Sequence, residues 1–202
     1  LWYDAKKKKI SVINGSGKSP NKATRKYFLS KGLKKIPQRG PLSISIPGVV
    51  HAWETSLKKY GTKKLNIILK DAIKLSKEGI KVDKYLKNFL ESKIYRKLIK
   101  KNSNLSTIYG NKNFKINSKI KQTQLSETLL QISKYGSKSF YNGKISKILI
   151  SDIQKQGSIV SNIDFKNHKT LIQKPISIKY LNKKIFTAPP NSQGLALIGL
   201  CE

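Results

Sequence analysis

Leu42-Ser-Ile-Ser-Ile46, then Pro47-Gly48, then Val49-Val-His-Ala-Trp-Glu-Thr-Ser-Leu57 carries the change of rhythm that sets the fold class. Apolar residues first recur at every second position, the period of a half-buried strand. They then recur at Val49, Val50, Trp53 and Leu57, the spacing of one helix face. Pro47-Gly48 punctuates the change, and Tyr60-Gly61 closes the helix. Upstream, Leu1–Asp4 and Ile10–Ile13 read as short strands joined by Ala5–Lys9. Asn14-Gly-Ser-Gly-Lys-Ser-Pro20 follows as a turn, where Gly15 and Gly17 permit positive φ. Asn21–Ser30 reads as a helix stopped by Gly32, and Pro37–Pro41 as a loop.

Downstream the pattern stays helical. Thr62 is a good N-cap for a helix with Leu65, Ile68, Leu69, Ala72, Ile73 and Leu75 in one stripe, stopped by Gly79. Asp83 to Lys101 gives one or two more helices. Asn102–Lys119 is polar and irregular, with a short strand expected near Asn113–Ile116. Gln122–Tyr135 reads as a helix with Leu125, Leu129, Leu130 and Ile132 inward, and Ser137–Tyr141 as one turn. Lys144–Gln156 places Ile145, Ile148, Leu149 and Ile153 on one face before Gly157, and Ser161–Asp164 is a capped turn. Alternation returns at Thr170–Tyr180 and Lys184–Thr187, a hairpin around Leu181–Lys183. Pro189-Pro-Asn-Ser-Gln-Gly194 is a loop, and Leu195–Glu202 opens an apolar helix. The expectation is an α+β fold: one partial domain over residues 1–202, a helical block over about residues 48–165, and terminal strand groups that share a sheet.

Composition narrows the function. The formal net charge is +32, from 42 basic and 10 acidic residues. Only Arg25, Arg39 and Arg96 are arginine, so the residue best suited to bidentate phosphate and base contacts is scarce. Lys, Ile and Asn enrichment matches an AT-rich coding sequence, and the lysines are spread along the chain. A solvated lysine surface is therefore expected, with no specific nucleic acid as partner. A non-enzymatic module binding nucleic acid or other polyanions is the alternative. One cysteine, Cys201, excludes an internal disulfide, and an inert buried thiol is expected there. With His51 and His168 as the only histidines, neither a metal site nor a cofactor is expected. No apolar run reaches the roughly 18 residues of a membrane span. No leader is visible and the chain contains no Met, which reads as a processed or internal piece.

Single motifs are weak on their own terms. Gly15-Ser-Gly17-Lys18-Ser19 lacks the upstream glycine of a phosphate loop. His51 and Glu54 are three residues apart, a spacing that suits acid–base work but more often marks a helix-surface contact. Trp2 and Trp53 are expected in the core.

Taken in order, several stretches resemble the large subunit of the γ-glutamyltransferase (γ-glutamyltranspeptidase) family. They are Leu1-Trp-Tyr-Asp-Ala-Lys6, Ile13-Asn-Gly-Ser-Gly-Lys-Ser-Pro20, and Arg39-Gly-Pro-Leu-Ser-Ile-Ser-Ile-Pro-Gly48. Trp53-Glu54, Tyr60-Gly61, Leu69-Lys-Asp-Ala-Ile73, Gly79-Ile-Lys-Val82 and Leu125-Ser-Glu-Thr-Leu129 follow. Gly136 to Phe140-Tyr-Asn-Gly143 and Pro189-Pro-Asn-Ser-Gln-Gly194 complete the series. Their joint order, across nearly the whole chain, is the strong signal.

The resemblance implies an N-terminal-nucleophile hydrolase with an αββα sandwich. A precursor cleaves itself, and a threonine becomes the first residue of the small subunit. It implies a small-molecule amide substrate, the small subunit of the same precursor as partner, and a homodimer of heterodimers as the assembly to consider. The nucleophile lies outside this sequence, so no catalytic residue is expected within it; an inactive relative is a further alternative. Ser16, Gly17 and Lys18 match the family's substrate-binding turn. Ser16 stands where γ-glutamyl enzymes carry an Arg that clamps the substrate carboxylate, and serine forms no bidentate ion pair. The turn looks more like the acylase-type and oxamate-amidohydrolase-like branch, with Lys18 as a point charge for a smaller acid. Asn191, Ser192, Gln193 and Gly194 match a loop that opens a helix, whose amides would face the site.

Overall fold

The computed structural model describes residues 1–110 and 113–201, apart from the side chain of Ser103. The readings at Asn111, Lys112 and Glu202 lie outside the described residues. The chain divides into two compact units, Leu1–Lys63 with Tyr135–Glu202, and Lys64–Lys134.

The first unit opens with β1 (Trp2–Asp4) and β2 (Lys9–Asn14), antiparallel with Trp2 opposite Ser11 and Asp4 opposite Lys9. The Asp4 carboxylate closes the connection by accepting the amides of Lys6 and Lys7, each at 3.1 Å. Helix α1 (Arg25–Ser30) starts later than the expected Asn21. Thr24 is its N-cap, with Oγ1 accepting the Tyr27 amide at 3.2 Å. Helix α2 (Val49–Tyr60) matches the spacing closely.

Leu42–Ile46 forms no strand. Pro41–Ser43 makes a single 3-10 turn and Ile44–Ile46 runs outside any sheet. Prolines at positions 41 and 47 remove two ladder donors. The alternation survives as burial: Ile44 is half-buried, Ser45 exposed and Ile46 buried. The Ile46 amide bonds the Lys18 carbonyl at 3.0 Å, so the period-two pattern serves a loop contact.

The second unit contains α3 (Leu65–Ile68), α4 (Lys70–Glu78), β3 (Ile80–Lys81), α5 (Lys84–Glu91), α6 (Lys93–Lys101), α7 (Ser103–Tyr109), β4 (Lys119–Ile120) and α8 (Thr123–Tyr135). Lys64, not Thr62, occupies the first N-cap position, and the expected single helix breaks at Leu69. Asp83 and Asn102 cap α5 and α7 through their side chains. The expected strand at Asn113–Ile116 is absent, and β4 pairs with β3 instead. Phe114 is an anchor there: its ring is buried, and its amide donates to the Glu91 carboxylate at 3.3 Å. Val82, Leu90, Ile99, Phe114 and Ile120 form this unit's core. On α8, Ile132 and Ser126 are buried, whereas Leu125 and Leu130 are exposed.

The first unit resumes with α9 (Ser137–Tyr141), α10 (Lys144–Lys155), α11 (Asn162–Lys166), β5 (Leu171–Gln173), β6 (Ile176–Tyr180), β7 (Lys183–Thr187) and α12 (Gly194–Leu200). Helix α10 buries Ser146 and Ile150 and exposes Ile148 and Leu149, so its inner face is rotated from the expected one. Ser161 and Asp164 form a reciprocal capping box. β5 pairs antiparallel with β2, Val12 opposite Gln173 and Asn14 opposite Leu171. Early and late strands thus share one sheet in the order β1-β2-β5. The expected continuous strand from Thr170 breaks at Lys174-Pro175, because Pro175 has no N–H to donate. β6 and β7 form a separate hairpin that turns on Leu181 and Asn182, both at positive φ. The architecture is α+β. Among the described residues no helix is long and apolar enough to cross a membrane.

Candidate functional site

β2 delivers Asn14 to the edge of a cleft, and the chain then turns through Gly15–Pro20. Neither Gly15 nor Gly17 takes the positive φ that the sequence suggests. Both are glycine for want of space. A Cβ on Gly17 would lie 1.7 Å from the Ile46 carbonyl oxygen, and one on Gly15 would lie 2.6 Å from the Ala52 Cβ. A Cβ on Gly48 would lie 1.8 Å from the Gly15 oxygen. The turn is pressed against the Ile46–Gly48 backbone, with no room for a side chain at the contacts.

The cleft has a volume of about 570 Å³. Asn14, Ser16, Gly17, Lys18, Lys169, Leu171 and Asn191 line it, and among the described residues no carboxylate does. The structure thus brings Asn191 to the expected turn from the far end of the chain. Ser192, Gln193 and Gly194 are not among the lining residues. The Ser192 hydroxyl donates to the Ala188 carbonyl at 2.7 Å and accepts the Gly194 amide at 3.0 Å. The first amide of α12 is therefore engaged within its own loop.

Asn14 joins these parts. Its Nδ2 donates to Gln173 Oε1 at 2.9 Å and to Asn191 Oδ1 at 3.2 Å, and its Oδ1 accepts the Ser16 amide at 3.0 Å. Sequence reasoning passed over this residue as part of a polar turn. The available signal was a carboxamide at the last position of a strand, beside a glycine turn.

Behind the cleft wall, residues 168–171 alternate. Lys169 and Leu171 line the cleft, while His168 is buried and Thr170 half-buried. The Thr170 amide donates to His51 Nδ1 at 3.1 Å. The His51 and His168 rings lie 5.8 Å apart, and Tyr141 stacks on His168 at 5.2 Å. The Tyr141 hydroxyl donates to the Pro47 carbonyl at 2.6 Å and accepts the His51 amide at 3.3 Å. Burial pushes the Tyr141 phenol up to about 12, against the pull of the His51 amide. Burial lowers the His168 pKa; His51 and Lys18 push the same way, and a Gly48 backbone contact opposes them. His168 Nε2 and Thr170 Oγ1 are buried without a hydrogen-bond partner. Nothing in the spacing of the two histidines announced this meeting.

His51 and Glu54 turn to different partners. Glu54 accepts from the Ser137 hydroxyl and amide and pairs with Lys58 at 3.0 Å. Burial alone would raise its pKa, but the Ser137 and Lys58 interactions outweigh burial and hold it below the ordinary range. Trp2 stacks on Tyr60 at 4.9 Å and, like Trp53, stays partly exposed instead of entering the core. Cys201 is half-buried. Among the described residues no group of three His, Cys, Asp or Glu side chains is placed to hold a metal ion.

The features together define an α+β protein with a polar, lysine-bearing cleft at a strand end, built by two loops far apart in sequence. The chain belongs to the γ-glutamyltranspeptidase family, whose model, described as Gamma-glutamyltranspeptidase, matches residues 1–201. It is 30% identical over 197 residues to the glutathione hydrolase-like YwrD proenzyme of Bacillus subtilis, covering 96% of this chain and 37% of that protein. Among solved structures, it is similar to the Helicobacter pylori γ-glutamyltranspeptidase at TM-score 0.83 and 31% identity, over 90% of this chain and 53% of that one. Cephalosporin acylase from Bacillus halodurans matches at TM-score 0.84 and 25% identity, over 93% of this chain and 36% of that one. The chain spans about a third of the length of the curated relatives it matches.

Proposed function

We propose that this chain is a large-subunit segment of a γ-glutamyltransferase-like amidohydrolase, and that its cleft holds the acyl group of a small anionic amide donor. The nucleophile is the hydroxyl of a threonine outside this sequence, freed by self-cleavage, with its own α-amine as base. The acyl group passes from the donor amide to that hydroxyl, whose proton goes by way of the α-amine to the departing donor amine; water or an amine acceptor then takes the acyl group and frees the hydroxyl. The small subunit of the same precursor completes an αββα sandwich on the β1-β2-β5 sheet. Within the cleft Ser16 and Gly17 contribute lining, Lys18 supplies a point charge for a donor carboxylate, and Asn191 supplies a carboxamide.

One observation carries the reading: Ser16–Lys18 and Asn191, drawn from opposite ends of the chain, meet in a single cleft where β2 ends. Lys18 and Lys169 line it with no carboxylate among the described residues, which favours an anionic donor.

The test is incubation of the full-length precursor, followed by gel electrophoresis and N-terminal sequencing. The expected result is two fragments, the smaller beginning with Thr. A precursor that stays intact and hydrolyses no amide refutes the reading. In the active enzyme Lys18→Ala should raise KM for an anionic donor about fivefold, the worth of one ion pair in water. An unchanged KM removes Lys18 from the site.

A further inference from the structure

We propose that Asn14 is a positioning residue, whose carboxamide holds the Ser16–Lys18 turn at a fixed distance from Asn191 and thereby sets the affinity for the donor. This rests on the reading of the cleft as the donor site. One side chain ties three segments. Through Nδ2 it reaches Gln173 on β5 and Asn191 in the late loop, partners 159 and 177 positions away. Through Oδ1 it holds the amide of Ser16, the first residue of the turn to line the cleft. A planar carboxamide fixes the directions of its two N–H groups and its oxygen together. Movement of the turn therefore strains the bond to Asn191, and movement of the late loop strains the bond to the turn.

The three partners give the role a chemical signature. An aspartate at this position only accepts hydrogen bonds. Gln173 and Asn191 both carry carboxamides that can turn over and donate, and the Ser16 amide still finds its acceptor. Leucine has a similar size and makes none of these bonds.

The experiment compares Asn14→Leu and Asn14→Asp in the full-length protein. Asn14→Leu should raise the donor KM about tenfold with kcat within about twofold, the scale of losing two or three neutral hydrogen bonds. It should also speed hydrogen exchange at the Ser16 amide, read by NMR, about tenfold. Asn14→Asp should recover most of the lost affinity at neutral pH, where its carboxylate accepts from the Ser16 amide and from the turned carboxamides of Gln173 and Asn191. A packing role alone gives no such rescue. If Asn14→Leu does not fold, Gln173→Leu removes one long-range bond without touching the cleft lining, and it should raise KM about threefold. Unchanged KM and Ser16 exchange in folded Asn14→Leu, or no recovery in Asn14→Asp at neutral pH, overturns the proposal. If the full-length protein hydrolyses no amide, the donor reading fails by itself. The Ser16 exchange rates then uphold or overturn the positioning role independently.

Discussion

Gly17→Ala tests whether the turn owes its glycine to space or to backbone freedom. The added Cβ would lie 1.7 Å from the Ile46 carbonyl oxygen, 2.7 Å from its carbon and 3.1 Å from its nitrogen. Ordinary contact begins near 3.4 Å, so the turn and the Ile46 backbone must separate by roughly 1.7 Å. That movement breaks the 3.0 Å bond from the Ile46 amide to the Lys18 carbonyl. Losing the bond costs about 1 kcal/mol, and overpacking adds about 1–3 kcal/mol. The expected destabilisation of about 2–4 kcal/mol should lower Tm by about 5–15 °C in a chain of this size. The assay is denaturant and thermal unfolding of the chain beside Gly199→Ala as control. Nothing lies within 4 Å of a Cβ on Gly199, inside α12. Alanine there should stabilise by about 0.5–1 kcal/mol through helix propensity. A Gly17→Ala chain within about 0.5 kcal/mol of wild type would refute the spatial account of the turn.

Three other outcomes follow from the same geometry. Asp164→Ala should cost about 2–4 kcal/mol in denaturant titration, because that carboxylate receives the Asn21 amide at 2.9 Å and the Ser161 amide and hydroxyl at 2.8 and 2.6 Å. Tyr141→Phe should cost about 1–3 kcal/mol, since it strands the Pro47 carbonyl and the His51 amide; spectrophotometric titration should find one phenol that ionises near pH 12 in wild type and is missing from the variant. Below its ordinary pKa of 6.5, His168 binds fewer protons folded than unfolded. Its contribution is therefore complete above pH 6.5 and shrinks as the pH falls; the unfolding midpoint should drop with acidification from that point, and His168→Phe should flatten the upper part of the decline.

Helices were legible where apolar spacing ran between turn residues, as at Val49–Tyr60, or where a capping pair stood at the start, as at Asn162–Lys166. Burial was less legible. Leu130 and Ile148 look like core residues by type but are exposed, while Ser126 and Ser146 are buried beside them on the same helices. Periodicity reports which positions share a face, and the neighbouring elements choose the face that is covered. Leu42–Ile46 misled for a related reason: alternation records burial on one side, which an extended loop between two prolines provides without a ladder. At the cleft, Ser16, Gly17 and Lys18 were reached through their resemblance to the family's substrate-binding turn, because a glycine turn after a strand carries no ligand signal of its own. Asn14, Lys169 and the His51–His168 contact depend on the pairing of β2 with β5, and no local window contains that pairing.

The long reach of this pairing has a cost during biosynthesis. Residue 14 is made well before its partner Leu171, and at ribosomal speeds of about 5–20 residues per second the delay is roughly 8–30 s. Throughout that interval β2 presents an unclaimed edge on which Val12, later among the most deeply buried residues, is uncovered. The cations Lys6–Lys9 sit beside that edge, where repulsion between nascent chains discourages strand-to-strand aggregation. The densest run of charge in the sequence thus stands at the end of the strand that waits longest for its partner.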